Sequence, residues 1–139
     1  MKRMLVGLVF ILAACGGGAG GSQSPSGQII FGATIDSTAF TVASPVASAS
    51  TTSSLGWVAY LSDAANATTL TLTVATVGPG GTETPLTQVP VNITNPEFNE
   101  LAHVPDTSLT GYGAATYTLR YIRPSDSKVL ATGTIVVTP

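Results

Sequence analysis

Residues 69–77 read TLTLTVATV, a run in which apolar and polar side chains alternate with a period of two. Successive side chains of a strand point to opposite faces, so this pattern predicts a strand with one buried face. Similar runs recur along the chain, and we predict strands at 28–35, 38–43, 55–61, 69–77, 85–94, 115–123 and 128–138. Short strands with no long helical pattern between them predict an all-β sandwich of about seven to eight strands.

One stretch, residues 95–104, fits two structures. Its first three residues, Asn-Pro-Glu, are typical of a helix start, and apolar residues at 98, 101 and 102 then follow at helical spacing. The same stretch also fits a strand with residues 98, 102 and 104 on one face. The sequence leaves both alternatives open.

The charge distribution argues against nucleic acid as a partner. Charged residues make up 9% of the chain, and the formal net charge is −2. Lys2 and Arg3 stand at the N-terminus, and the other bases are Arg120, Arg123 and Lys128. This is no basic stripe that could follow a phosphate backbone, so we expect no nucleic-acid partner.

The N-terminus carries the most specific motif of the chain. A positive start at residues 2–3 precedes an apolar run at 5–14, which is too short for the about 20 residues of a membrane span. The run leads into the residues Leu12, Ala13, Ala14 and Cys15. This arrangement resembles the lipobox signal peptide of bacterial lipoproteins.

The resemblance implies processing and lipidation at one residue. Signal peptidase II would recognise Leu12, Ala13 and Ala14, remove residues 1–14, and leave Cys15 with a covalent diacylglycerol and acyl lipid. No other cofactor and no metal is expected. The protein would be held on the extracytoplasmic face of the cell membrane or outer membrane, and Gly16, in place of an aspartate, favours the outer membrane.

Residues 15–27 predict a linker and residues 28–139 a single folded domain. After the cysteine the chain reads GGGAGGSQSPSG, which is typical of a flexible coil because it has almost no surface to bury. This tether would hold the domain away from the membrane. The oligomeric state has no signal in the sequence.

The end of the chain resembles the last hairpin of an immunoglobulin-like or fibronectin-type domain. Tyr117 lies two residues before the inward-facing Leu119, as in the tyrosine corner of such domains. Trp57 is predicted to be a core aromatic. The only cysteine lies in the lipobox, so the disulfide of antibody domains is absent. The resemblance implies an immunoglobulin-like β-sandwich over 28–139, and fold alone implies no activity.

Candidate chemical groups are few. His103 is the only histidine, so neither a catalytic triad nor a blue-copper site can be assembled, and we interpret it as a surface or helix-end residue. Glu97 and Glu100 would be helix-dipole partners rather than an acid–base pair. We therefore expect no enzyme activity.

The last hairpin is the one candidate binding surface that the sequence offers. Arg120, Tyr121, Arg123 and Lys128 cluster there, and an anionic polymer or an acidic protein surface would be their target. A simply solvated hairpin is the alternative.

Together these patterns predict a lipid-anchored envelope protein whose β-sandwich binds or scaffolds without catalysis. It could be an accessory subunit of an envelope complex or an adhesion module, with a protein or glycan as partner. A chagasin-like protease inhibitor is one alternative, since residues 51–57, 78–81 and 123–124 follow the order of that family's three loops. A carbohydrate-binding module is another.

Overall fold

Eleven strands and two short 3₁₀ turns form the regular structure of residues 25–139, the part of the chain that this computed structural model describes. The strands are β1 (Gln28–Gly32), β2 (Ile35–Asp36), β3 (Thr41–Val42), β4 (Pro45–Val46), β5 (Ser48–Ser50), β6 (Leu55–Tyr60), β7 (Thr69–Val77), β8 (Glu83–Asn92), β9 (Glu100–Asp106), β10 (Ala115–Arg123) and β11 (Lys128–Thr138). The 3₁₀ turns are Pro79–Gly81 and Thr110–Tyr112. The all-β class expected from the alternation is confirmed.

The main sheet curls into a sandwich. Its strands follow the order β8-β7-β10-β11-β1-β6-β9, while β4 pairs with β1 and β5 pairs with β11 in parallel. The strands β8, β7, β10 and β11 form one layer, and β1, β6 and β9 form the other. Inward-facing side chains of both layers share one hydrophobic core, which includes Phe31, Trp57, Leu72 and Leu119.

The strand predictions succeed where the alternation is unbroken. The bounds of β7, β10 and β11 are those predicted, and β6 ends one residue early. The predicted strand at 28–35 is wrong in its second half, because β1 ends at Gly32 and Ile35 belongs to a separate hairpin with β3. Within 95–104 the helical alternative is wrong, since residues 95–98 form a turn and β9 begins at Glu100.

The β2–β3 hairpin covers the outer face of β6, so this strand is buried on both sides. Val58 faces the hairpin and is fully buried, and the Tyr60 hydroxyl donates a hydrogen bond of 2.7 Å to the Phe40 carbonyl oxygen. A Cβ on Gly56 would lie 2.8 Å from Ile35 Cγ1, so glycine is required where the hairpin touches the strand. No pattern in the sequence indicated that this hairpin would form a third layer.

Two features expected of the sandwich are present. The Tyr117 hydroxyl donates a 2.7 Å hydrogen bond to the Gly113 carbonyl oxygen, which is the bond of a tyrosine corner. Trp57 is 2% exposed and lies in the core. Residues 25–27, assigned above to the linker, hydrogen-bond to the domain: Gly27 N donates to Tyr60 O, and Gly27 O accepts from Thr132 N.

The two layers are joined where β1 leaves β11 and continues along β6. The strands β1 and β11 pair in parallel at Gln28 and Thr132, and β1 then pairs with β6 over its whole length. Gly133 lies at this crossing, and a Cβ there would be 2.7 Å from both the Cβ and the backbone oxygen of Ile29. Since a backbone oxygen cannot move aside as a side-chain end can, the crossing requires glycine.

Replacing Gly133 by alanine should therefore destabilise the domain. We expect Gly133→Ala to lower the free energy of unfolding by about 1–3 kcal/mol, the usual cost of overpacking, measured by urea denaturation. Gly111→Ala is the matched control, because a Cβ at Gly111 meets nothing within 4 Å. Equal stability of the two variants would contradict the role given to Gly133.

Candidate binding groove

An apolar groove of about 480 Å³ lies between the free edges of β8 and β9. These strands are the two ends of the curled sheet, so neither has a neighbour on its outer side among the described strands. Residues 93–98 close one end of the groove, and residues 108–112 close the other. Its central walls are formed by Leu72, Val74, Val89, Val91 and Leu101, with Trp57, His103 and Tyr121 between them.

The exposure of Val89 shows that the sandwich is open on this side. Val89 on β8 pairs with Leu72 on β7, and directly opposed residues of neighbouring strands point to the same face. Both side chains therefore face the interior, yet Leu72 is 8% exposed and Val89 is 45% exposed. The layer containing β9 does not reach far enough to cover Val89.

Two aromatic side chains from opposite layers form the floor of the groove. Trp57 on β6 donates a 3.0 Å hydrogen bond from Nε1 to the Tyr121 hydroxyl on β10. Phe31 packs edge-on against the indole, with ring centroids 5.9 Å apart. Burial raises the pKa of the Tyr121 phenol, and the bond from Trp57 partly opposes this. The phenol is therefore un-ionised at neutral pH, and its oxygen accepts the hydrogen bond from the indole N–H.

His103 covers the indole from the side of β9. Its ring stacks on Trp57, with centroids 3.9 Å apart and planes within 6°. Because β9 pairs with β6 at Trp57 and His103, both rings leave the strands on the same face. The helix-end alternative for His103 is wrong, since the residue lies on a strand, where its half-buried side chain faces the groove.

Asp106, the last residue of β9, holds His103 in place. One carboxylate oxygen lies 3.2 Å from His103 Nε2, and the other accepts bonds from the Ser108 amide at 3.0 Å and the Ser108 hydroxyl at 2.6 Å. Partial burial opposes ionisation, but the bonds from Ser108 and His103 prevail and lower the pKa of Asp106. Asp106 is therefore charged at neutral pH.

This trio positions side chains and does not activate a nucleophile. The Ser108 hydroxyl donates to Asp106 and not to the imidazole, whereas a serine nucleophile must donate to the base that deprotonates it. The expected role of Glu97 and Glu100 as helix-dipole partners is wrong, because Glu97 lies in the turn before β9 and Glu100 is the first residue of that strand. Among residues 25–139 no group of three or more His, Cys, Asp or Glu side chains could hold a metal ion.

The structure does not bring the four residues of the candidate hairpin together on one surface. Tyr121 is 3% exposed and belongs to the groove floor. Arg120 points to the opposite face, where its two terminal nitrogens each lie 2.7 Å from an oxygen of Glu83. These hydrogen bonds from Arg120 lower the pKa of Glu83.

The other two bases of the hairpin are also paired with acids. Arg123 is 8% exposed and binds both oxygens of Asp126 at 3.1 and 2.9 Å. Lys128 lies 3.6 Å from Asp63, which also approaches Arg123 at 3.6 Å. The ion-pair geometry therefore gives the hypothesis of a basic binding hairpin no support.

The comparison with protease inhibitors requires three loops at one end of the sandwich, but two of the three segments, 78–81 and 123–124, lie at opposite ends. Val77, before the 78–81 turn, pairs with Thr116, while Thr71 pairs with Ile122 near the 123–124 segment. Six strand residues separate these positions, or about 20 Å. The loops therefore do not converge on one surface, which removes the geometrical basis of that alternative.

The lipobox residues Leu12, Ala13, Ala14 and Cys15 lie outside the described residues. Within residues 25–139, no helix has the length and hydropathy needed to cross a membrane. No known protein family, curated protein or solved structure matches the chain.

The hydrogen bond on the groove floor should stabilise the fold. Tyr121→Phe removes the acceptor and leaves the Trp57 indole N–H buried without a partner, so we expect a loss of about 1–3 kcal/mol in unfolding free energy. The emission of Trp57, the only tryptophan, should also shift on the folded protein. Tyr112→Phe is the control, since Tyr112 is 52% exposed. Loss of equal size in both variants would contradict the role of the bond.

The charge on Asp106 should make part of the stability depend on pH. Its pKa in the folded state lies below the ordinary value of 3.8. The contribution of the carboxylate is therefore complete above that value and is lost as the pH falls through the lower folded-state pKa. We expect the difference in unfolding free energy between the native protein and Asp106→Asn to shrink as the pH is lowered below 3.8. A difference that stays constant would show that Asp106 is not stabilised as a carboxylate.

Proposed function

We propose that this protein is a lipid-anchored, non-catalytic binding protein of the bacterial cell envelope and that the groove is its binding site. The observation that carries the proposal is the 45% exposure of Val89 on the interior face of the sandwich. A folded domain gains stability by covering such a side chain. An uncovered interior face therefore favours a partner that supplies the missing cover.

The shape and chemistry of the groove support binding. Its volume of about 480 Å³ falls in the range of ligand sites, about 300–1,000 Å³. Its walls are mainly aliphatic and aromatic, and its polar groups include His103, Asp106 and Ser108 towards one end and Glu100 towards the other. Such a site combines apolar contact area with a few fixed polar groups that set orientation.

The N-terminal motif supports the anchor. The order of positive residues, apolar run and Cys15 fits a lipidated N-terminus, and two or three acyl chains hold a protein stably to a bilayer. Residues 16–24 provide reach between the lipid and the domain. A tethered domain with an open groove is suited to recruiting a partner at the membrane.

Site-specific photo-cross-linking in cells that produce the protein tests the groove. A photoreactive amino acid at Val89 should yield one or a few discrete adducts. The same group at Thr132, which is exposed on β11, should yield none. Equal adducts at both positions, or none at either, would count against the groove as the binding site.

Cys15→Ser in the same cells tests the anchor. Loss of the lipid should move the protein out of the membrane fraction and reduce the adducts formed at Val89. A variant that stays in the membrane fraction would refute lipidation at Cys15 while leaving the result at Val89 to decide on the groove.

A further inference from the structure

The free edge of β9 borders the groove along its whole length. The strand Glu100–Asp106 has seven residues, so it extends for about 20 Å. Among the described strands β9 pairs only with β6, and its other edge has no partner. Val104 on this strand is 60% exposed.

The backbone groups on this edge are free to pair. Leu61 N donates to Asn99 O, and in an antiparallel ladder alternate residues bond to the neighbouring strand. Leu101 and His103 therefore bond towards β6, while the N–H and C=O groups of Glu100 and Ala102 point away from it; beyond His103 the register with β6 shifts. No backbone group within residues 25–139 bonds to these two residues on the free side.

The opposite edge of the groove is less suited to pairing. On β8, Ile93 N donates to Thr68 O, so by the same alternation residues 88, 90 and 92 direct their backbone to the free side. Residue 90 is proline and has no N–H to donate. Proline on an exposed edge is a common protection against strand addition. Between residues 100 and 104, β9 carries no proline.

The charges around β9 define the chemistry of a partner. Residues 25–139 contain seven acidic and three basic residues, and all three bases are paired with Asp63, Glu83 or Asp126. The four acids that have no Lys or Arg partner within this range are Asp36, Glu97, Glu100 and Asp106. Two of these line the groove at opposite ends of β9, and no Lys or Arg lines it.

We propose that the groove takes an extended peptide segment that pairs with the free edge of β9, places alternate apolar side chains between the layers, and carries basic residues towards Glu100 and Asp106. This inference rests on the proposed function and names the partner of the same site. The backbone bonds supply affinity, and the alternating apolar side chains cover Val89, Val91 and Leu101. The basic residues select among segments of similar hydrophobicity, because like charges at the groove would be repelled.

A random peptide library displayed on phage and selected against the full-length chain in mild detergent tests this partner class. We expect the enriched peptides to alternate apolar and polar residues and to contain Lys or Arg. Enrichment of acidic or non-alternating peptides, or no enrichment, would overturn the proposal. If Val89 still forms adducts in cells in that case, the groove binds a partner of another class and the proposed function stands.

The best enriched peptide, labelled with a fluorophore, then tests strand pairing by fluorescence polarisation. Ala102→Pro removes one donor from the free edge of β9 and should weaken binding about tenfold. Gln88→Pro makes the matched change on the free edge of β8 and should leave binding unchanged. Equal loss in both variants, or no loss in Ala102→Pro, would overturn pairing with β9.

A matched pair of variants tests whether the charge of Glu100 contributes to peptide binding. Glu100→Gln removes one negative charge at the groove, and Thr132→Lys changes the net charge equally on an exposed site of β11. We expect weaker binding of the basic peptide to Glu100→Gln alone, with a loss that decreases at high salt. Equal weakening in both variants would show that binding depends only on the net charge of the protein, and it would overturn the role of Glu100.

A second copy of the chain could also occupy the groove, and a measurement of the oligomeric state tests this. Size-exclusion chromatography with light scattering gives the mass of the full-length chain in detergent. A dimer that Ala102→Pro dissociates would overturn the proposal of a separate peptide partner, because β9 would then pair with itself. A monomer under the conditions of peptide binding supports it.

Discussion

The topology of one curled sheet determines both where the two layers of this domain are joined and where the groove between them opens. A sheet that passes from one layer to the other at a single crossing has two ends, and here both ends face the same side of the sandwich. The crossing at β11 and β1 requires the close approach of Ile29 to Gly133. The layers are joined by strand pairing at this crossing, whereas on the opposite side β8 and β9 do not pair, and the groove lies between them.

The separation of the layers also explains how polar groups can line an apolar site. The Trp57 indole N–H finds its acceptor in the Tyr121 hydroxyl across the layers, so this buried donor needs no water at the groove floor. His103 lies between the indole and the opening, and Asp106 fixes it from the end of the strand. Each member of this series holds the next, which gives the site a defined shape before any partner arrives. A preformed site loses less conformational entropy on binding than one that must be ordered.

The sequence predicted those parts of the fold that depend on local pattern. Alternation between Thr and Leu fixed the bounds of β7, and the spacing of Tyr117 and Leu119 indicated the tyrosine corner. The end of β1 was not predicted because Gly32 and Ile35 both contact β3, in a hairpin that folds back over the sheet. The local alternation of side chains does not indicate such a contact. Likewise Glu83, the partner of Arg120, lies 37 residues away, so this neutralisation could not be inferred from the hairpin alone, whereas Asp126, which binds Arg123, lies within the hairpin itself. The groove escaped prediction for the same reason, since Val89 has the same alternating neighbours as a fully buried valine.

The hydrogen bonds of Gly27 determine how a pull on the N-terminal side of the domain would reach the fold. A pull on the chain ahead of residue 25 reaches the fold through β1, which lies between β6 and β11. The force runs along the strand axis, so the bonds between β1 and β6 are loaded in shear and share the load, rather than opening one after another. Because β1 is also the crossing between the layers, its extraction would divide the sandwich into two separate sheets. Resistance to such a pull and the connection between the two layers would therefore depend on the same five residues, Gln28–Gly32.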